Sequence, residues 1–181
     1  MKIEYSMKVH NYLILLGLAL SSLGCLAQSE PYDFNGDGKK ETFALVAPQI
    51  NEETSDCNGS CECHIRFSDN KIPDLVVENC IGGEPDILGD LDGNGTVEIG
   101  LHPWWWTSCW GGYYVFTLKN GKWVNFVDPF SIYHCDENLD REKPLIRKIP
   151  DKKGVYTIIY YEFDMESEEI QQKTKVVKQN I

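Results

Sequence analysis

The chain lacks an apolar run long enough to cross a bilayer. Its most continuous one, residues 12–20 (YLILLGLAL), falls well short of the ~20 apolar residues a spanning helix needs. Basic residues are in deficit: 17 Lys and Arg against 28 Asp and Glu leave a net charge of −11, which repels nucleic acid and anionic membranes and favours cations. Beyond the N-terminal segment no window keeps an apolar period of 3.6 residues, so a helical fold is excluded. No serine sits in a nucleophile-elbow context, no glycine-rich loop is built to cradle phosphate, and no Cys-x-x-Cys pair occurs. The histidines outside the N-terminal segment are His64 and His134, each beside a cysteine, and His102, before Pro103. They assemble no acid–base constellation in sequence, and the solvated acidic runs DENLDRE and MESEE offer no defined glycosidase pair. The expectation is a protein without catalytic residues, with a secreted hydrolase as the weaker alternative.

What is present begins with an export signal. Lys2, Lys8 and His10 precede the apolar run, and SSLGCLAQ follows it, so residues 1–27 read as a signal peptide, with Met7 as an alternative start. Cleavage after Ala27 would release a secreted chain. Alternatively, Leu23-Gly24-Cys25 resembles a bacterial lipobox, with Ser22 where an aliphatic residue is usual; Cys25 would then carry lipid. Either route places residues 28–181, one domain's worth of chain, in a secreted, periplasmic or outer-surface setting without a transmembrane span.

Such a compartment is oxidising, and six cysteines remain there: Cys57, Cys61, Cys63, Cys80, Cys109 and Cys135. They imply three disulfides among fifteen pairings. Cys63 and Cys80 flank a hairpin and suggest one pair, Cys109 with Cys135 a second, and Cys57 with Cys61 would follow by elimination. The rival reading is zinc on Cys57, Cys61, Cys63 and His64.

The rest reads as short strands between turn clusters. TFALV (42–46), CHIRF (63–67) with DLVV (74–77), VEIGL (97–101), YYVFTL (113–118) with WVNFV (123–127), and VYTIIYYEF (155–163) are strand patterns. Asn120-Gly121 supplies the positive φ angles of a tight hairpin turn. Residues 165–178 carry helix-favouring Glu, Gln and Lys, but 170–177 reads as a strand, because 155–163 needs a partner. The expected fold is all-β, of antiparallel sheets, as a sandwich or a partial propeller-like set.

One internal repeat carries chemistry. Residues 33–41 (DFNGDGKKE) and 90–98 (DLDGNGTVE) share oxygen side chains at positions one, three and five, glycine at four and six, and glutamate at nine. Calcium takes six to eight oxygens at ~2.3–2.6 Å, and alternate residues of a curled loop can supply them. The ligand set is Asp33, Asn35, Asp37, the Lys39 carbonyl and Glu41 in one loop, and Asp90, Asp92, Asn94, the Thr96 carbonyl and Glu98 in the other. An EF-hand is excluded, since position twelve is Ala44 or Leu101 and strands follow. The pattern resembles the FG-GAP and VCBS-like repeats of integrin-type propellers, whose calcium loops read DxDGDGxxD before a strand. The resemblance covers the two loops and the strands after them; position nine is Glu rather than Asp, and two copies are too few blades to close a propeller. It implies bound Ca2+.

The second unusual segment is HPWWWTSCWGGYYVF, residues 102–116. Consecutive tryptophans on an extended chain alternate faces, so Trp105 would oppose Trp104 and Trp106. Packing against a disulfide is one role for them. A ligand-facing platform formed by Trp104, Trp105, Trp106 and Trp110, contacting a glycan or an extracellular protein, is the other. The functional expectation is a calcium-binding, non-catalytic module, with a structural envelope lipoprotein as an alternative.

Overall fold

The computed structural model describes residues 31–106, 108–135 and 144–180. The signal peptide and Cys25 lie outside them. The described residues form no helix and eleven strands, all paired antiparallel. Strands β1 (Phe43–Val46), β2 (Glu62–Phe67) and β3 (Leu75–Glu78) make the first sheet. Strands β4 (Gly83–Gly89), β5 (Glu98–Pro103), β6 (Trp110–Lys119) and β7 (Lys122–Asn125) make the second in that order. There β8 (Phe130–Tyr133) pairs with the opening residues of β6 and β7 with its closing ones. Strands β9 (Ile146–Lys148), β10 (Val155–Asp164) and β11 (Glu169–Lys178) make the third, ordered β11-β10-β9.

The middle sheet is apolar on both faces, and side-chain alternation divides it between two cores. Ile99, Leu101 and Phe116 face the first sheet, joining Ile65, Leu75, Val77 and the first acidic loop's Phe34. Tyr113 and Val115 face the other way, onto Ile146, Tyr156, Ile158 and Tyr161 of the third sheet. Each core gathers residues far apart in sequence, so neither outer sheet has a buried face without the middle one.

The expected hairpins are present, including the Asn120-Gly121 turn with φ of 52° and 72°. Residues 170–177 are strand: β10 and β11 pair over their whole lengths. Strands β4 and β9 carry no clean alternation of their own, and β8, which alternates, has only four residues; pairing with β5, β10 and β6 makes them strands. The disulfides are Cys57–Cys61, Cys63–Cys80 and Cys109–Cys135. Those bonds leave no thiolate for zinc beside His64. Alkylating the denatured, unreduced protein is expected to label none of these six cysteines; labelled thiols accompanied by bound zinc would reverse the pairing.

Candidate metal centre

The two acidic loops fold alike and share a set of hydrogen bonds. At position one, the Asp33 carboxylate accepts the N–H groups of Gly36 (2.7 Å) and Gly38 (2.9 Å). The Asp90 carboxylate accepts those of Gly93 (2.7 Å) and Gly95 (3.0 Å). Position five donates its N–H to position three, Asp37 to Asn35 at 2.9 Å and Asn94 to Asp92 at 3.1 Å. Position seven donates to position five, Lys39 to Asp37 at 2.9 Å and Thr96 to Asn94 at 2.7 Å. Short Asx side chains close such local rings readily, and the curl needs left-handed backbone at positions four and six. Glycine supplies it: φ is 75° and 82° at Gly36 and Gly38, 80° and 88° at Gly93 and Gly95.

Positions two and nine fasten each loop to the fold. The N–H of Phe34 donates to Glu41 (3.1 Å) and that of Leu91 to Glu98 (2.6 Å). Phe34 is buried among Phe43 and Phe67, with ring centroids 5.7 and 4.9 Å away, and Leu91 is buried in the opposite core. Glu41 and Glu98 are 3% and 0% exposed, and among the described residues they are the buried acids. A buried carboxylate is costly without a compensating partner. Glu98 also accepts the Thr117 hydroxyl at 2.9 Å. Burial pushes its carboxyl up from 4.5 to about 7; the Leu91 and Thr117 bonds oppose the rise, and the charges of Asp92 and Asp90 add to it. Between 4.5 and about 7 the unfolded chain has released a proton that the metal-free fold still holds. Stability is therefore greatest below that window and falls as pH rises through about 7.

The donor set fits a hard cation. One oxygen from each of Asp90, Asp92 and Glu98 lies within 4.8 Å of the others. Two oxygens on opposite sides of one calcium stand ~4.6–5.2 Å apart. A carboxylate oxygen that accepts one N–H keeps a lone pair for a metal, so the internal bonds preorganise these ligands. With neither imidazole nor thiolate in the set, softer metals are disfavoured. This triad can hold a metal ion.

The loops also differ. The first has Asn at position three and Asp at position five, the second the reverse; in the first, Asn35 also donates to Asp69 (3.4 Å), and the Lys39 ammonium lies 3.8 Å from Asp37. In the second, Thr96 stands at position seven, its hydroxyl on Asn94 at 2.6 Å. The second loop is also tied to the third sheet: Tyr156 donates its O–H to the Leu91 carbonyl (3.1 Å), and Gln179 donates to Asp92 (2.7 Å). Sequence reading found the oxygens at alternate positions but missed Thr117, Tyr156 and Gln179, which no local pattern marks. The apolar residue at position two of both copies was the available signal for the anchor.

The tryptophans do not lie on a continuous strand. β5 ends at Pro103, and the chain turns, with Trp106 at a φ of 40°. The alternation expected of an extended segment is thus replaced by a turn. Trp104, Trp105, Trp106 and Trp110 are 37–49% exposed, so none belongs to a core. Trp105 packs edge-on against Trp106 and Trp110 against Tyr133, with centroids 5.8 and 5.0 Å apart. No family model, curated protein or solved structure matches the chain.

Proposed function

We propose that the chain is an exported, calcium-stabilised, non-catalytic binding module of the FG-GAP/VCBS-like kind, secreted or held at the outer surface through Cys25. The observation that carries this reading is the likeness of the two loops: a shared set of internal hydrogen bonds, left-handed glycines at the same two positions and a buried glutamate at the same position. Ordinary polar turns have no need to bury a carboxylate. Three disulfides suit an oxidising compartment. Among the described residues no helix is long and apolar enough to cross a membrane. The second loop binds calcium more tightly than the first, since Lys39 neutralises part of the first loop's charge. Melting the metal-free protein with and without calcium tests this reading.

The exposed tryptophans are the contact surface for a glycan or an extracellular protein. Trp105→Ala is expected to cost under about 1 kcal/mol of stability, against about 3–5 kcal/mol for a buried tryptophan, and to abolish retention on a glycan array or a partner matrix. Separate melts of Trp104→Ala, Trp105→Ala and Trp106→Ala check this; losses on the core scale in all three make the cluster structural.

A further inference from the structure

Beside the second acidic loop lies an open groove of about 420 Å³, within the ~300–1,000 Å³ range of small-molecule clefts. Leu91 and Asp92 line it from the loop; Lys148 of β9, Lys152 and Lys153 of the β9–β10 turn and Tyr156 of β10 line it from the third sheet. Residues 147–153 (RKIPDKK) hold four of the chain's 17 basic residues, a local reversal of sign in a chain of net charge −11. All three lysines are exposed, and among the described residues none of their side chains forms an ion pair or a hydrogen bond.

Backbone hydrogen bonds fix the lysine turn. The N–H of Ile149 donates to the Val155 carbonyl at 3.3 Å and closes the connection between β9 and β10. Inside it, Lys152 donates its N–H to the Ile149 carbonyl at 3.2 Å, around Pro150 and Asp151. Asp151 takes a φ of 61°, as the third residue of a type II turn does, although it is not glycine. Gln179 then joins the turn to the acidic loop. Its backbone N–H donates to the Gly154 carbonyl at 3.0 Å, and its side-chain amide donates to Asp92 at 2.7 Å. The Tyr156 hydroxyl on the Leu91 carbonyl, at 3.1 Å, is a second tie. The lysine turn and the second acidic loop are therefore one hydrogen-bonded unit.

We propose that this groove binds a phosphate or sulfate ester, and binds it more tightly when a cation occupies the second loop. Three ammonium groups line it beside two carboxylates, Asp92 and Asp151. An ammonium is a compact point charge that suits a tetrahedral oxyanion; a planar carboxylate is better matched by a guanidinium fork, and no arginine lines the groove. A cation held by Asp90, Asp92 and Glu98 cancels the negative charge beside the lysines, so the field in the groove turns positive. The acidic surface elsewhere repels long polyanions such as nucleic acid, and a groove of this size takes a small molecule. The gain on cation binding rests on the calcium reading; the groove itself rests on the lysines.

The test is titration calorimetry of the full-length mature protein at physiological salt, calcium-saturated and again after chelation. Glucose 6-phosphate and glucose 6-sulfate are the probes and separate a phosphate source from a sulfate source; glucose and glucuronate are the neutral and carboxylate controls. The expected result is saturable binding of at least one ester to the calcium-loaded protein, with glucose silent and glucuronate at least about tenfold weaker. Chelation is expected to weaken the ester about fivefold or more, and by linkage the ester tightens calcium by the same factor. Lys152→Gln with Lys153→Gln in one chain is expected to lose about tenfold in ester affinity. Glucose that binds as tightly as its esters overturns the proposal, as does a folded double variant that binds them like wild type. The glucose comparison needs no variant, so it stands even if the double variant folds poorly. An ester affinity that ignores calcium in a protein that takes calcium up overturns the coupling. Calcium uptake with both esters silent sinks this inference alone; ester binding in a protein that takes up no calcium sinks the calcium reading, and the coupling with it, while the groove stands.

Discussion

Adding calcium to the metal-free protein at pH 8 is expected to raise its melting temperature by about 5–10 °C, and chelation to reverse the rise. A ligand that binds only the folded state contributes RT ln(1 + [L]/Kd), about 2.7 kcal/mol at a hundredfold excess over Kd. For a chain of this length each kcal/mol moves the midpoint by about 2–4 °C, so one occupied loop suffices. The alkaline condition matters because Glu98 is then ionised beside Asp90 and Asp92, burial and their charges having raised its carboxyl to about 7. Without metal the fold holds three carboxylates within 4.8 Å of one another, a repulsion the unfolded chain escapes. Magnesium is expected to do less, since it demands tight octahedral geometry and gives up water reluctantly. A midpoint that is the same with calcium and with chelator contradicts this.

Phe34→Ala is expected to destabilise the protein by about 3–5 kcal/mol, the largest single loss among the residues of either loop. Phe34 is fully buried, and its ring packs edge-on against Tyr32, Phe43 and Phe67. Its N–H is the one that Glu41 accepts, so the ring also sets where that buried carboxylate turns back. The truncation should therefore weaken calcium at the first loop and leave the second, anchored by Leu91 in the other core, nearly unchanged. Denaturant melts measure the first effect and calcium titration the second. Val176→Ala, at a largely exposed β11 position, is the control and should stay within about 0.5 kcal/mol. A cost for Phe34→Ala near that of the control would contradict the anchoring role.

The fold was legible where local chemistry is strong. Asn120-Gly121 marks its hairpin because positive φ is needed there, and Val155 and its successors mark β10 by β-branched and aromatic content. The two loops were legible because their spacing repeats. β4, β8 and β9 were not, since Gly83 and Gly89 bound β4 and Pro85 interrupts it, while β8 and β9 are only four and three residues long. Pairing to β5, β6 and β10 makes them strands. The two-faced burial of the middle sheet was hidden for the same reason: Ile99 and Tyr113 look alike in sequence and go to opposite cores. The tryptophan segment misled, because an extended reading assumed alternation where Trp106 sits in a turn. The His102–His134 contact spans 32 residues and is set by β6 pairing with β8, which no motif records.

The most direct measurement is the calcium stoichiometry of the metal-free mature protein by titration calorimetry, in wild type, Asp33→Ala, Asp90→Ala and the double variant. The account predicts two ions per chain in wild type, loss of the weaker one in Asp33→Ala, loss of the tighter one in Asp90→Ala, and none in the double variant while its β-sheet circular dichroism persists. A wild-type protein that takes up no calcium, or a folded double variant that still binds two ions, would contradict it.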